Sequence, residues 1–130
     1  MSFTHVTFAQ LQETVAVIRS HTTQQPKVGL ILGSGLGQVA DMLTDAERLF
    51  YHKLPHWPVS TVHGHAGQLV FGTFAGQEIV VMQGRSHLYE GYSPAQLALP
   101  VRVMRLLGVE LLIVTNAAGG LNQQFAVGDV

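Results

Sequence analysis

The segment QGRSHLYEG at 83–91 sets an arginine, a histidine, a tyrosine and a glutamate between two glycines. A guanidinium is a planar fork that meets two oxygens of a phosphate. In a locally extended loop, residues two apart share a side. Arg85, His87 and Tyr89 then face one way, suited to an anion and an apolar or sugar face. Glu90 faces the other way and holds the loop. An exposed loop with a surface ion pair is the plainer reading, and the crowding of functional groups favours a site.

Three other places offer chemistry. GSGLG at 33–37 follows an apolar run. Its glycines let backbone N–H groups approach an anion, Ser34 adds a hydroxyl, and a following helix N-terminus adds partial positive charge. A P-loop would need Lys followed by Ser or Thr, and a dinucleotide fingerprint would need Gly where Gln38 stands. A plain tight turn explains the spacing as well as an anion cradle does. HGHAG at 63–67 carries paired histidines without a Cys or carboxylate nearby, which is poor evidence for a metal. His65 is better suited to donate to an anion or sugar hydroxyl, and His63 to a structural role. NAAGG at 116–120 has small side chains that leave open space, with the Ala117 and Ala118 amides placed to meet an oxyanion. A closely packed connector fits that segment equally well. His5, His21, His52 and His56 have no company and default to surface or packing roles.

These loops need elements to carry them. Thr7 and Gln10 have capping-box spacing, and Leu11, Val15 and Ile18 recur at helical intervals, so a helix starts at Thr7 and ends in the polar stretch before Pro26. VGLIL at 28–32 reads as a buried strand. Residues 36–43 read as a helix opening after the glycine turn. Residues 69–74 and 79–82 read as strands joined by a tight turn at Ala75-Gly76-Gln77. Ser93 caps a second helix with Pro94 at its first position. Leu97, Val101, Met104 and Leu107 give that helix an apolar stripe, Pro100 kinks it, and Gly108 ends it. Residues 111–114 read as another buried strand. The alternation implies an α/β sheet with helices on its faces, and such sheets bind ligands beyond the carboxyl ends of their strands. Loops 33–37, 83–92 and 116–120 all leave strand ends in that way.

Composition bounds the classes. The 130 residues are 47% hydrophobic and 12% charged, which excludes a disordered chain and gives room for one domain. A net charge of −1 gives no electrostatic footprint for nucleic acid. The absence of Cys removes disulfides, thiolate metal sites and Cys nucleophiles together, and it is compatible with a reducing compartment. No apolar run approaches the roughly 18 residues of a membrane span.

Taken together, GSGLG at 33–37, GHAG at 64–67, GRSHLYEGY at 84–92 and VTNAAGGLN at 114–122 resemble the trimeric-type purine nucleoside phosphorylases. Their order and separations fit, with PVRVMRLLGVELL at 100–112 lying between the last two. The related methylthioadenosine phosphorylases share a similar turn and a GR-x-H element, but YEGY and TNAAGG fit the purine nucleoside branch better.

The resemblance implies a twisted mixed central sheet flanked by helices, a homotrimer, and a cytoplasmic enzyme with neither nucleic acid nor membrane as partner. It implies reversible phosphorolysis of purine nucleosides to free base and (deoxy)ribose 1-phosphate. Inorganic phosphate is the co-substrate, with no cofactor and no metal. By matching motif, Ser34, His65, Arg85, His87 and the Ala117 amide hold phosphate and Tyr89 lies against the pentose. Asn116, Ala118 and Gly119 line the floor near the base. Ser86 stands at a position that is bulkier in some relatives. The family's base-recognising residues fall beyond Val130. Residues 1–130 are therefore expected to be the N-terminal half of one domain, weak or inert alone, with the choice of purine open. The competing expectations are a nucleotide-binding module that uses residues 33–37 for a dinucleotide, and an inert truncated scaffold.

Overall fold

The structure is a computed structural model and describes residues 5–60 and 67–129. The first α-helix, α1, covers Phe8–His21 and is capped by Thr7. The Thr7 hydroxyl accepts from the Gln10 amide, and the Gln10 side chain accepts from the Thr7 amide. Leu11 and Ile18 are buried as expected, and so is Thr14. The Thr14 hydroxyl reaches the carbonyls of Gln10 and Pro55, which satisfies it inside the core.

Five strands follow: β1 (Val28–Leu32), β2 (Thr44–Phe50), β3 (Gln68–Phe74), β4 (Gln77–Gln83) and β5 (Leu111–Val114). They form one mixed sheet in the order β2-β3-β4-β1-β5. β1 runs parallel to both β4 and β5, and β2-β3-β4 is an antiparallel meander. The β3–β4 turn places both Ala75 and Gly76 at positive φ, which suits the right-handed twist of a hairpin. The second helix, α2, covers Pro94–Leu107, with Ser93 as cap, Pro94 in its first turn and Gly108 in the left-handed conformation at its end. It runs unbroken across Pro100, which is buried.

Alternating strand residues feed two cores. Leu69, Phe71, Val80 and Met82 pack with Leu11 and Ile18 of α1 and Leu99, Val103 and Leu107 of α2. Val70, Ile79 and Val81 pack on the other face with Ala40 and Leu43. The two α-helices thus share one face, and residues 39–43 cover the other.

Three sequence expectations change, and one strand carries no signal in the sequence. Residues 36–43 form only a short 3-10 helix, Gly37–Met42, without a side-chain cap. The stripe of α2 is set by Leu99, Val103, Met104 and Leu107, while Leu97 is half-buried and Val101 exposed, because packing against α1 rotates the buried face. β2 went unread because only Leu49 of its seven residues is buried. An edge strand with one covered side chain carries almost no apolar pattern. β5 is not buried: Leu111 is 55% and Ile113 44% exposed, since β5 lies at the sheet edge, with β1 on one side.

Candidate functional site

Three neighbouring parallel strands, β4, β1 and β5, end on the same side of the sheet. The turn after β1, the loop after β4 and the segment after β5 therefore meet at one edge. Parallel pairing alone brings them there, since it aligns carboxyl ends.

The β1 turn is fastened from both sides. Toward β5, the Gly33 amide donates to Thr115 Oγ1 at 2.8 Å, and that hydroxyl donates to the Ile31 carbonyl at 3.1 Å. The Thr115 amide also donates to Ile31 O, at 3.0 Å. Gly33 must be glycine here: a Cβ would lie 2.9 Å from Thr115 O and 3.0 Å from Asn116 Cα. Toward β4, Gln83 Nε2 donates to the Gly37 carbonyl at 2.8 Å. Gln83 Oε1 accepts from Gln68 Nε2 at 2.5 Å. Ser34 rides exposed on the turn, next to Gly35 at φ +84°.

Arg85, half-buried, directs a guanidinium nitrogen to Thr115 O at 3.3 Å. It forms no ion pair among the described residues, so its charge is not neutralised locally. Gly84, before it, is held by the buried Tyr51, whose hydroxyl donates to the Gly84 carbonyl at 2.6 Å. Burial pushes the Tyr51 hydroxyl far above the ordinary tyrosine pKa.

Glu90 holds the loop as expected, but not by facing away: Leu88–Glu90 form a short 3-10 turn instead of running extended, which brings Glu90 back onto His87. The Glu90 side chain is 3% exposed and accepts from the His87 amide at 2.6 Å, from Ser60 Oγ at 2.8 Å and lies 3.3 Å from His87 Nδ1. The His87 ring stacks on Tyr89 with centroids 4.8 Å apart, and Tyr89 is 78% exposed. Tyr92 Oη bonds both the amide and the carbonyl of Val59. Tyr92 and Glu90 together pin residues 59–60 to the 83–92 loop. His63 and His65 lie outside the described residues.

Asn116, Ala117, Ala118 and Gly119 are exposed and line an open hollow of about 980 Å³ together with Leu121, Asn122 and residues 125–129, which are themselves exposed. Ser34, Arg85, His87 and Tyr89 do not line that hollow. Arg85 and Ser86 instead line a second, smaller cavity of about 110 Å³ between the sheet and α2. The Ser86 hydroxyl is buried there without a partner among the described residues. Of the sequence candidates, Arg85, the turn preceding Ser34 and Asn116 are drawn together through Thr115, and His87 is paired with Tyr89. Sequence reasoning passed over Thr115, Tyr51, Tyr92 and Ser60. Their hydroxyls act between segments distant in the chain, and no local spacing announces such a role. Among the described residues no three potential metal ligands cluster, and no helix is long and apolar enough to cross a membrane.

The short 3-10 helix weakens the dinucleotide reading. Gly37–Met42 is a six-residue 3-10 helix, so it brings a weaker dipole to the turn than an α-helix start, and this takes the same share from the helix-terminus part of the phosphate reading.

The Phosphorylase superfamily profile matches residues 27–130. Purine nucleoside phosphorylase 1 of Bacillus subtilis is 54% identical over 121 residues, covering 93% of this chain and 45% of that protein. A purine nucleoside phosphorylase solved with ribose 1-phosphate superposes with a TM-score of 0.88 at 48% identity, over 96% of this chain and 46% of the other. The Schistosoma mansoni purine nucleoside phosphorylase solved with inosine gives 0.87 at 46% identity, over 96% and 44%. The chain thus spans somewhat under half the length of these relatives, and the resemblance read from the motifs is borne out.

Proposed function

Because this chain belongs to the phosphorylase superfamily, we propose that it supplies the phosphate and pentose side of a purine nucleoside phosphorylase site. In this reading residues 1–130 are the N-terminal half of a single domain of the relatives' length. The reaction is reversible phosphorolysis of a purine nucleoside to free base and pentose 1-phosphate. Its partners are nucleoside and inorganic phosphate, its assembly a homotrimer and its compartment the cytoplasm.

A phosphate oxygen forms the new bond to the anomeric carbon. The bond to the purine nitrogen breaks, and its electron pair leaves with the base, which takes up a proton. The sugar passes through an oxocarbenium-like state. An anion fixed beside it offsets the developing positive charge, so the protein's work is positioning and electrostatics. That step draws on no metal or organic cofactor. Arg85, Ser34, His65, His87 and the Ala117 amide are the phosphate ligands of the proposal. Tyr89 lies on the pentose, and Asn116, Ala118 and Gly119 line the floor near the base.

The observation that carries the proposal is the Arg85 guanidinium, without an ion pair among the described residues and fastened to Thr115, the residue that also holds the β1 turn. Calorimetric titration of the chain with inorganic phosphate, then with NAD, tests it. Phosphate binding that Arg85→Ala weakens at least about tenfold is expected, on the scale of one charge-assisted hydrogen bond. Binding of NAD without phosphate, or phosphate binding indifferent to Arg85, would sink it.

A further inference from the structure

We infer that Thr115 is a positioning residue that sets the spacing between the two halves of the phosphate cradle. It contacts no substrate in the reading above, on which this inference rests. Four of its bonds converge within one residue. Its hydroxyl accepts from the Gly33 amide at 2.8 Å and donates to Ile31 O at 3.1 Å. Its amide donates to Ile31 O at 3.0 Å, and its carbonyl accepts from Arg85 at 3.3 Å.

A hydroxyl is one donor and a double acceptor, so a single Oγ serves Gly33 and Ile31 at once. The same residue thereby determines where the β1 turn begins and where the guanidinium rests. The spacing has little slack, since the position a Gly33 Cβ would take is 2.9 Å from the Thr115 carbonyl oxygen. Gln83 fixes the far end of the same turn through Gly37 O at 2.8 Å. With that end held, release of Gly33 from Thr115 tilts the turn instead of sliding it. Ser34 is the next residue along, and its hydroxyl moves with the amide of Gly33.

The alternative is that Thr115 merely closes the β1–β5 ladder. Register between those strands ends at the pair Ile31–Val114, and one more bond would cap it. A ladder cap acts through the Thr115 amide, which valine and serine both retain. A positioning role acts through Oγ1, which only a hydroxyl restores.

The test compares Thr115→Val and Thr115→Ser with the parent chain. Inorganic phosphate affinity is read by calorimetry, and amide exchange at Gly33 is read by NMR. Valine keeps the shape and removes the hydroxyl; serine keeps the hydroxyl. Thr115→Val is expected to weaken phosphate binding about tenfold and to speed Gly33 exchange at least about tenfold. Thr115→Ser is expected to stay within about twofold of the parent in both. Equal phosphate affinity for parent and valine variant overturns the inference, as does a serine variant as weak as the valine one. If Thr115→Val fails to fold, Thr115→Ala, which also removes the hydroxyl, takes its place: about tenfold weaker phosphate binding is expected, and affinity equal to the parent overturns the inference. A parent chain that binds no phosphate removes the functional reading instead. Gly33 exchange, unchanged in Thr115→Val, would then overturn the positioning role separately.

Discussion

Gly33→Ala is the perturbation whose size the structure fixes most directly. Gly33 has no unusual backbone conformation, so the cost is steric. The new methyl would sit 2.9 Å from Thr115 O, 3.0 Å from Asn116 Cα and 3.2 Å from Thr115 C. All three are backbone atoms, which cannot swing aside as a side-chain tip can. Ordinary contact requires the turn and the β5 exit to part by about half an ångström, and overpacking of this kind costs about 1–3 kcal/mol. The separation also stretches the 2.8 Å bond from the Gly33 amide to Thr115, adding about 0.5–1.5 kcal/mol. The sum, about 1.5–4.5 kcal/mol, lowers Tm by roughly 5–17 °C for a domain of this size.

Gly35→Ala serves as the comparison. Gly35 sits at φ +84° with open space around its Cβ direction, so its cost is backbone strain alone, about 1–2 kcal/mol. Differential scanning calorimetry of both variants should therefore order them with Gly33→Ala the less stable. A Gly33→Ala chain melting within about 3 °C of the parent, or above Gly35→Ala, would refute the close approach and the reasoning built on it.

Tyr51 gives a pH prediction. Its folded pKa is raised by burial, so the native state keeps a proton that the unfolded chain releases. Its contribution is whole below about pH 10 and falls above that by about 1.4 kcal/mol per pH unit. Tyr51→Phe should flatten the alkaline limb of a stability–pH curve and lower neutral stability by about 1–3 kcal/mol, because Gly84 O loses its buried donor; an unchanged alkaline limb in urea titrations contradicts this. Ser86→Val should fill part of the 110 Å³ cavity and remove an unpartnered hydroxyl, raising stability by up to about 1 kcal/mol; a lower Tm argues that the cavity is not empty. Glu90→Ala strips the His87 amide and Ser60 of a buried acceptor and should cost about 1–3 kcal/mol, with faster exchange at the His87 amide; unchanged exchange there contradicts it. Glu110 is held below the usual carboxylate range, chiefly by its hydrogen bond to Lys27, yet both groups are in solvent; Glu110→Gln should leave Tm unmoved in a thermal melt.

Local signals carried most of the element reading. Thr7 with Gln10 and Ser93 with Gln96 are capping boxes whose partners lie three residues away, so spacing alone reveals them. VGLIL is apolar throughout because β1 has a strand on each side and packing on both faces. The loop-holding of Glu90 is legible, and Arg85 stands out as a candidate, because functional side chains are crowded into one short loop. The misreadings at residues 36–43, in the α2 stripe and at β5 share a cause. Each depends on what packs against the segment, and periodicity does not report a neighbour that comes from elsewhere in the chain.

The two capped helix starts, at Thr7 and Ser93, are settled within a few residues by capping geometry, and these the amino-acid order states outright. Which strands lie side by side, and hence which loops meet, is settled by pairing across long gaps, as in Val28 with Ile79, 51 residues on, and with Leu111, 83 residues on. Thr115 became a joint between the β1 turn and Arg85 only through that pairing. A hydroxyl bonds whatever the fold carries to within about 3 Å of it, and nothing in its own neighbourhood of the chain names that partner.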